Sequence, residues 1–183
     1  MITAPFSPDD VLARLAEARA EIIASVEPLS DVQWAWSPDE STWSAAHIVE
    51  HCAVVDRGTA KMLTEKFPTL EAVDFTPEQQ AKKDASIRVA VANRGVKLEA
   101  PPRVVPSGRF ASRADAMAAL LGARDTIADA VRTSGNALRS RGAPHPFLGK
   151  FDGLQWAVFS AEHGARHMSQ LAELRAQPEF PKA

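Results

Sequence analysis

The stretch DGLQWAVFSAEHGARHMSQLAEL, residues 152–174, decides the fold. Leu154, Trp156, Phe159, Met168, Leu171 and Leu174 recur at helical spacing, and Asp152 can cap the first turn. Trp156, Phe159, His163, His167 and Gln170 follow in steps of three, four, four and three, so both histidines continue an inward stripe. The pattern predicts one long helix running to Pro178.

The same reading extends upstream. A first helix opens with Ser7 as cap, Pro8 in the first turn and Asp9 and Asp10 at the positive end of the dipole, and ends before Pro28. A loop holding Trp34, Trp36 and Pro38 follows. A second helix starts after Trp43 with Ser44 as cap; Ile48, Cys52, Val55, Thr59, Met62 and Leu63 form its inner stripe, and it ends near Pro68. A shorter helix spans Pro77 to about Asn93 behind Thr76. A third long helix opens at Ser112 and Asp115, resembling a capping box, carries Met117, Leu120, Leu121, Ile127 and Val131, and stops at Gly135. Residues 94–112 and 135–152 read as Pro- and Gly-bearing loops. No segment alternates with period two, and Arg103–Pro106 is too short and too rich in proline for a strand. The expectation is an all-α fold, a four-helix bundle with an extra short helix, in a single domain over residues 1–183.

Composition fits that expectation. The 183 residues are 45% apolar and 24% charged, ordinary values for a globular chain. A net charge of −2 gives no basic footprint for nucleic acid. No apolar run is long enough for a membrane span, and the stretch Met1-Ile2-Thr3-Ala4-Pro5 lacks the features of a signal peptide, which places the protein in the cytoplasm. The lone Cys52 excludes an internal disulfide and any thiolate-cluster metal site, so a metal must use histidine and carboxylate.

The five histidines are His47, His51, His145, His163 and His167. Random placement would give about 0.1 pairs spaced four apart, yet His47/His51 and His163/His167 are both so spaced, each inside a predicted helix. Residues four apart share a helix face, and their ring nitrogens can converge on one ion. The plainer reading is that the histidines merely pack or face solvent. His47 is in step with His51, so it is either a fourth ligand or a neighbour behind the ligands. The protease pattern His-Glu-x-x-His is not met: Gly164 occupies the position of its general base. Glu162 and Glu50 are expected at the surface, and Cys52 reads as a small buried apolar residue rather than a nucleophile.

The stretch Trp43-Ser44-Ala45-Ala46-His47-Ile48-Val49-Glu50-His51 resembles the opening motif of the DinB-like family, a Trp-Ser pair followed by a histidine eight residues after the tryptophan. The late stretch is closer. His145-Pro146-Phe147-Leu148-Gly149, Gln155-Trp156 and His163-Gly164-Ala165-Arg166-His167-Met168-Ser169-Gln170 match that family's His-Pro loop, tryptophan and His-x-x-Arg-His-x-x-Gln. The resemblance is strongest over residues 34–55 and 144–174. It implies a bundle in which His51, His163 and His167 bind a divalent metal ion, zinc or nickel foremost, with His145 structural. His47 departs from the family, which usually has another polar residue there.

The resemblance further implies a small-molecule substrate and a thiol transferase that uses a low-molecular-weight thiol such as bacillithiol or mycothiol. A metal-dependent hydrolase and a non-catalytic metal- or ligand-binding bundle are the alternatives. Arg109 and Arg166 are candidate anion partners for the thiol, although a surface role is the simpler reading of each. The resemblance also allows a homodimer through helix faces.

Overall fold

The computed structural model describes residues 4–95 and 99–182. Met1, Ile2 and Thr3 of the opening stretch, residues 96–98 of the long loop, and Ala183 lie outside the described residues. The helices are α1 (Pro8–Val26), α2 (Asp31–Ala35), α3 (Ala45–Lys61), α4 (Pro77–Ala92), α5 (Arg113–Ser134) and α6 (Gly153–Arg175). Local chemistry sets their starts. Ser7, Ser30, Ser44, Thr76 and Asp152 each accept a backbone N–H from the first turn, and a side chain three residues on returns the bond. Ser112 instead donates its hydroxyl to the Asp115 carboxylate at 2.7 Å while accepting the Asp115 N–H.

α1, α3, α5 and α6 form the bundle. α3 lies against α5 and α6, α1 against α6 and α5, and α4 packs on the outside of α6. Two details differ from the sequence reading. α3 stays α-helical only to Lys61 and then widens into a π-helical turn, Met62–Lys66, before a short 3-10 turn at Phe67–Thr69. The Trp34 segment, expected as loop, carries the short helix α2.

The absence of strands is also corrected. β1 (Glu71–Ala72), β2 (Arg141–His145) and β3 (Gly149–Asp152) form a small antiparallel sheet in that order. Its hairpin pairs Gly142 with Asp152 and His145 with Gly149. Pro144 and two glycines hide any alternation, and the strands hold for other reasons. A Cβ on Gly142 would fall 2.0 Å from the Phe151 carbonyl oxygen, so only glycine admits this pairing. Gly149 takes φ +77°, a region that favours glycine. His145 Nδ1 accepts the N–H groups of Phe147 and Leu148, both at 3.2 Å, and closes the turn. Trp156 Nε1 donates to the Ala143 carbonyl at 3.2 Å and ties the hairpin to α6.

The apolar core comes in two halves. One gathers Val11, Leu15, Ile127, Val131, Phe151 and Leu154; the other gathers Ile22, Ile48, Cys52, Leu120, Met168 and Leu171. Between them, at matching heights on α3, α5 and α6, lie the buried polar residues Asp56, Arg124 and Ser160. Trp34, Trp36 and Trp43 pack against the second half. Among the described residues no helix is long and apolar enough to cross a membrane.

A separate polar cluster pins the other end of the bundle. Arg139 bonds Asp84 at 2.7 Å, Asp152 at 2.9 Å and the Phe6 carbonyl at 2.8 Å. Gln155 adds a bond to Asp84 at 2.9 Å. Arg139 thus joins the α1 entry, α4 and the start of α6. Replacing it by methionine would leave two buried carboxylates without their cation, a change that costs about 3–5 kcal/mol when a buried pair is broken. Urea unfolding of Arg139→Met is expected to show a loss of that order.

Candidate metal centre

α3 and α6 carry the histidines, and their packing decides which of them meet. His51 sits on the second turn of α3; His163 and His167 sit one turn apart on α6. Their three Nε2 atoms converge: His51 to His163 is 3.1 Å and His167 to His163 is 3.2 Å. His51 and His167 are buried, and His163 is half-buried with its Nδ1 buried. Trp43 flanks it, 4.9 Å from the His51 ring and 6.2 Å from the His167 ring, and Phe159 packs 5.2 Å from His163.

The far sides of two of the rings show how their donors are aimed, while His163 Nδ1 is buried with no hydrogen-bond partner among the described residues. His51 Nδ1 lies 2.8 Å from the Val104 carbonyl, and His167 Nδ1 lies 2.8 Å from Gln170 Oε1. A proton on each Nδ1 satisfies these acceptors and leaves the Nε2 lone pair pointing at the common centre. Burial first, and the neighbouring rings second, push His163 well below its ordinary value and His167 down to about 3. Burial also lowers His51, against the pull of the Val104 carbonyl. All three are therefore neutral donors near pH 7. Three Nε2 atoms this close together can share one cation, and imidazole suits zinc, nickel, copper or iron. The donor set therefore fits a divalent ion.

Among the described residues, the cluster able to share one ion contains His51, His163 and His167 and no carboxylate. His47 is not part of it. It is exposed, and its Nδ1 accepts the Ser44 N–H at 3.4 Å as half of the α3 capping box. The helical spacing to His51 arises from its place three residues after the cap. His145 serves the hairpin turn and stacks 5.2 Å from Phe151.

Both glutamates expected at the surface are buried. Glu50 is 5% exposed and accepts the N–H groups of Ser107, Gly108 and Arg109 as well as the Arg109 guanidinium. Burial alone would raise its carboxyl, but those bonds outweigh it and hold the group below the usual range. Glu162 is 6% exposed and takes Arg14 at 2.9 Å and Arg88 at 3.4 Å, facing α1 and α4 rather than the triad. Arg166 donates to the carbonyls of Val91 and Asn93 at the end of α4. Neither arginine proposed from sequence as an anion partner is an uncommitted cation: Arg109 holds Glu50, and Arg166 holds α4. Cys52 is fully buried, and burial pushes its thiol far up, as expected of a packed rather than nucleophilic cysteine.

A buried pair beneath the triad escaped the sequence reading. Arg124 on α5 lies with Nε 2.9 Å from Asp56 Oδ2 on α3, and its Nη2 donates to the Ser160 carbonyl on α6 at 2.9 Å. Ser160 in turn donates its hydroxyl to Asp56. The guanidinium lies against Gly164, where a Cβ would come within 2.1 Å of Nη2. That explains glycine beside His163. The signal was available: Asp56 falls four residues after Cys52 on the inner stripe, and Arg124 four after Leu120.

A four-helix bundle with a histidine triad arranged for metal binding is the class that fold and site define. The chain belongs to the DinB superfamily, whose family model matches residues 14–171. It is 26% identical over 165 residues to the uncharacterized protein YuaE of Bacillus subtilis (strain 168), covering 89% of this chain and 96% of that one. Among solved structures it is similar to YfiT from Bacillus subtilis, with a TM-score of 0.57 and 19% identity over 92% of this chain and 85% of that one. YfiT is described as a probable metal-dependent hydrolase with an unusual four-helix bundle topology.

Two outcomes follow from this geometry. Gly164→Ala must displace a guanidinium pinned by Asp56 and Ser160, so thermal or urea unfolding should show a loss of about 3 kcal/mol or more, as for a broken buried pair. His145, lowered by burial from 6.5 to about 4, takes up its proton in the unfolded chain before the folded one. Its contribution to stability is complete above pH 6.5 and is lost as pH falls toward 4. His145→Asn keeps a polar acceptor but cannot titrate there, so its unfolding free energy should fall less steeply with acid across that window.

Proposed function

We propose that this protein is a metal-dependent enzyme in which His51, His163 and His167 hold a divalent ion, zinc or nickel, that activates a low-molecular-weight thiol for transfer to a small electrophile. The observation that carries the reading is the convergence of three neutral Nε2 donors with no carboxylate among them. An ion bound by three imidazoles keeps a position open and lowers the pKa of a thiol or water that enters it.

The protein's own groups favour the thiol. Hydrolysis of an ester or amide calls for a proton donor to the leaving group, usually a nearby acid. The two acids adjacent in sequence to ligands, Glu50 and Glu162, are each committed to cations and, for Glu50, to backbone N–H groups. A thiol needs only to lose its proton and meet an electrophile. Val104 and Gln170 hold two of the rings, while Trp43 and Phe159 pack beside them. The second reading, a metal-dependent hydrolase, draws on the description of YfiT.

Elemental analysis of tag-free protein beside His51→Ala, His163→Ala and His47→Ala tests the centre. The expected result is about one ion per chain, lost in the first two variants and retained in His47→Ala, with helicity by circular dichroism unchanged. No uptake from added zinc or nickel would overturn the proposal. Loaded protein is then assayed for loss of bacillithiol or mycothiol with small electrophiles and, in parallel, for ester and amide cleavage. Turnover in the first assay supports the transferase; turnover only in the second supports the hydrolase.

A further inference from the structure

Glu50 and His51 are neighbours on α3, about 100° apart around the helix, yet both reach the same loop. His51 Nδ1 meets the Val104 carbonyl at 2.8 Å. The Glu50 carboxylate accepts the N–H groups of Ser107 at 2.7 Å, Gly108 at 2.9 Å and Arg109 at 3.2 Å, and Arg109 Nη1 at 2.8 Å. Three successive amides can face one carboxylate because Gly108 takes φ +75°. The Arg109 guanidinium then turns back to the carbonyls of Val105 at 2.8 Å and Arg103 at 3.4 Å, the residues on either side of Val104. The contacts close a circuit from Glu50 through the loop to the carbonyl that holds His51.

Among the described residues, few other contacts order this segment beside the triad. It contains one 3-10 turn, Pro102–Val104, and Pro101, Pro102 and Pro106 can donate no backbone hydrogen bond. Phe110 secures its far end against the second core half. Glu50 is also unsuited to moving protons. An ionised carboxylate has about four acceptor sites, and all four bonds are made within the loop.

We infer that Glu50 is a positioning residue: acting through residues 103–109, it places the Val104 carbonyl that keeps the His51 proton on Nδ1 and turns Nε2 toward His163 and His167. For its effect on metal affinity the inference rests on the triad being a metal centre, but its effect on the His51 tautomer does not.

The test uses full-length protein with 15N-labelled histidine, first metal-free at pH 7.5. Long-range proton–nitrogen spectra report which ring nitrogen carries the proton. His51 is expected as the Nδ1–H form in the wild type and as a mixture in Glu50→Gln, with His167 unchanged. Zinc affinity, measured by competition with a chromophoric chelator, should fall about 10–100-fold, the usual effect of losing a group behind a ligand. Arg109→Ala, a change at a partly exposed side chain, should move both readouts the same way and serves if Glu50→Gln fails to fold. A folded Glu50→Gln with an unchanged His51 tautomer and unchanged affinity overturns the inference. A wild type that takes up no zinc, but whose Nδ1–H signal is lost in Glu50→Gln, upholds the positioning role and sinks the metal reading.

Discussion

A guanidinium with 2% exposure in the middle of a helical bundle is the constraint on which the other features depend. A guanidinium taken out of water calls on the fold for an anion and hydrogen-bond acceptors. Asp56 on α3 and the Ser160 carbonyl on α6 supply part of this, with Nη1 left buried without a hydrogen-bond partner among the described residues, and three helices are held at a common level. This polar layer divides the apolar core in two, requires glycine at position 164, and sets the height at which His51 on α3 faces His163 and His167 on α6. The apolar halves supply bulk stability; the polar layer specifies which residues meet.

What could be read from sequence was what local chemistry determines. Ser7, Ser44, Thr76, Ser112 and Asp152 mark helix starts because each cap bonds within three residues of itself. The inward stripe through His163 and His167 was legible because helical period needs no tertiary information. The hairpin over residues 141–152 was not. It owes its existence to a close approach at Gly142 and to a bond from Trp156, neither of which leaves an alternating pattern. Glu50 and Glu162 were misread for a related reason: their partners lie 57 and 148 residues away. His47, which the sequence left as a fourth ligand or a neighbour behind the ligands, shows the opposite case, since a spacing that suggests ligation also arises from a capping box.

Among the described residues of this DinB-superfamily chain, the cluster that could share one ion is made wholly of imidazoles, with its nearby acids engaged elsewhere. That division of labour has a physical basis. Neutral ligands leave the full charge of a divalent ion available to whatever enters the open position, whereas carboxylate ligands would reduce it. Acids placed behind the ligands can orient donors without competing for the ion.

The separation of His51 from His163 and His167 along the chain also bears on biogenesis. His51 and His163 are 112 residues apart. At about 5–20 residues per second of synthesis, His51 waits on the order of 6–22 s for its partners to be made. Throughout that interval the faces of α1 and α3 that will cover α6 have nothing to cover. The triad is thus completed only when the chain reaches α6, and an ion that needs all three rings can act only from then on.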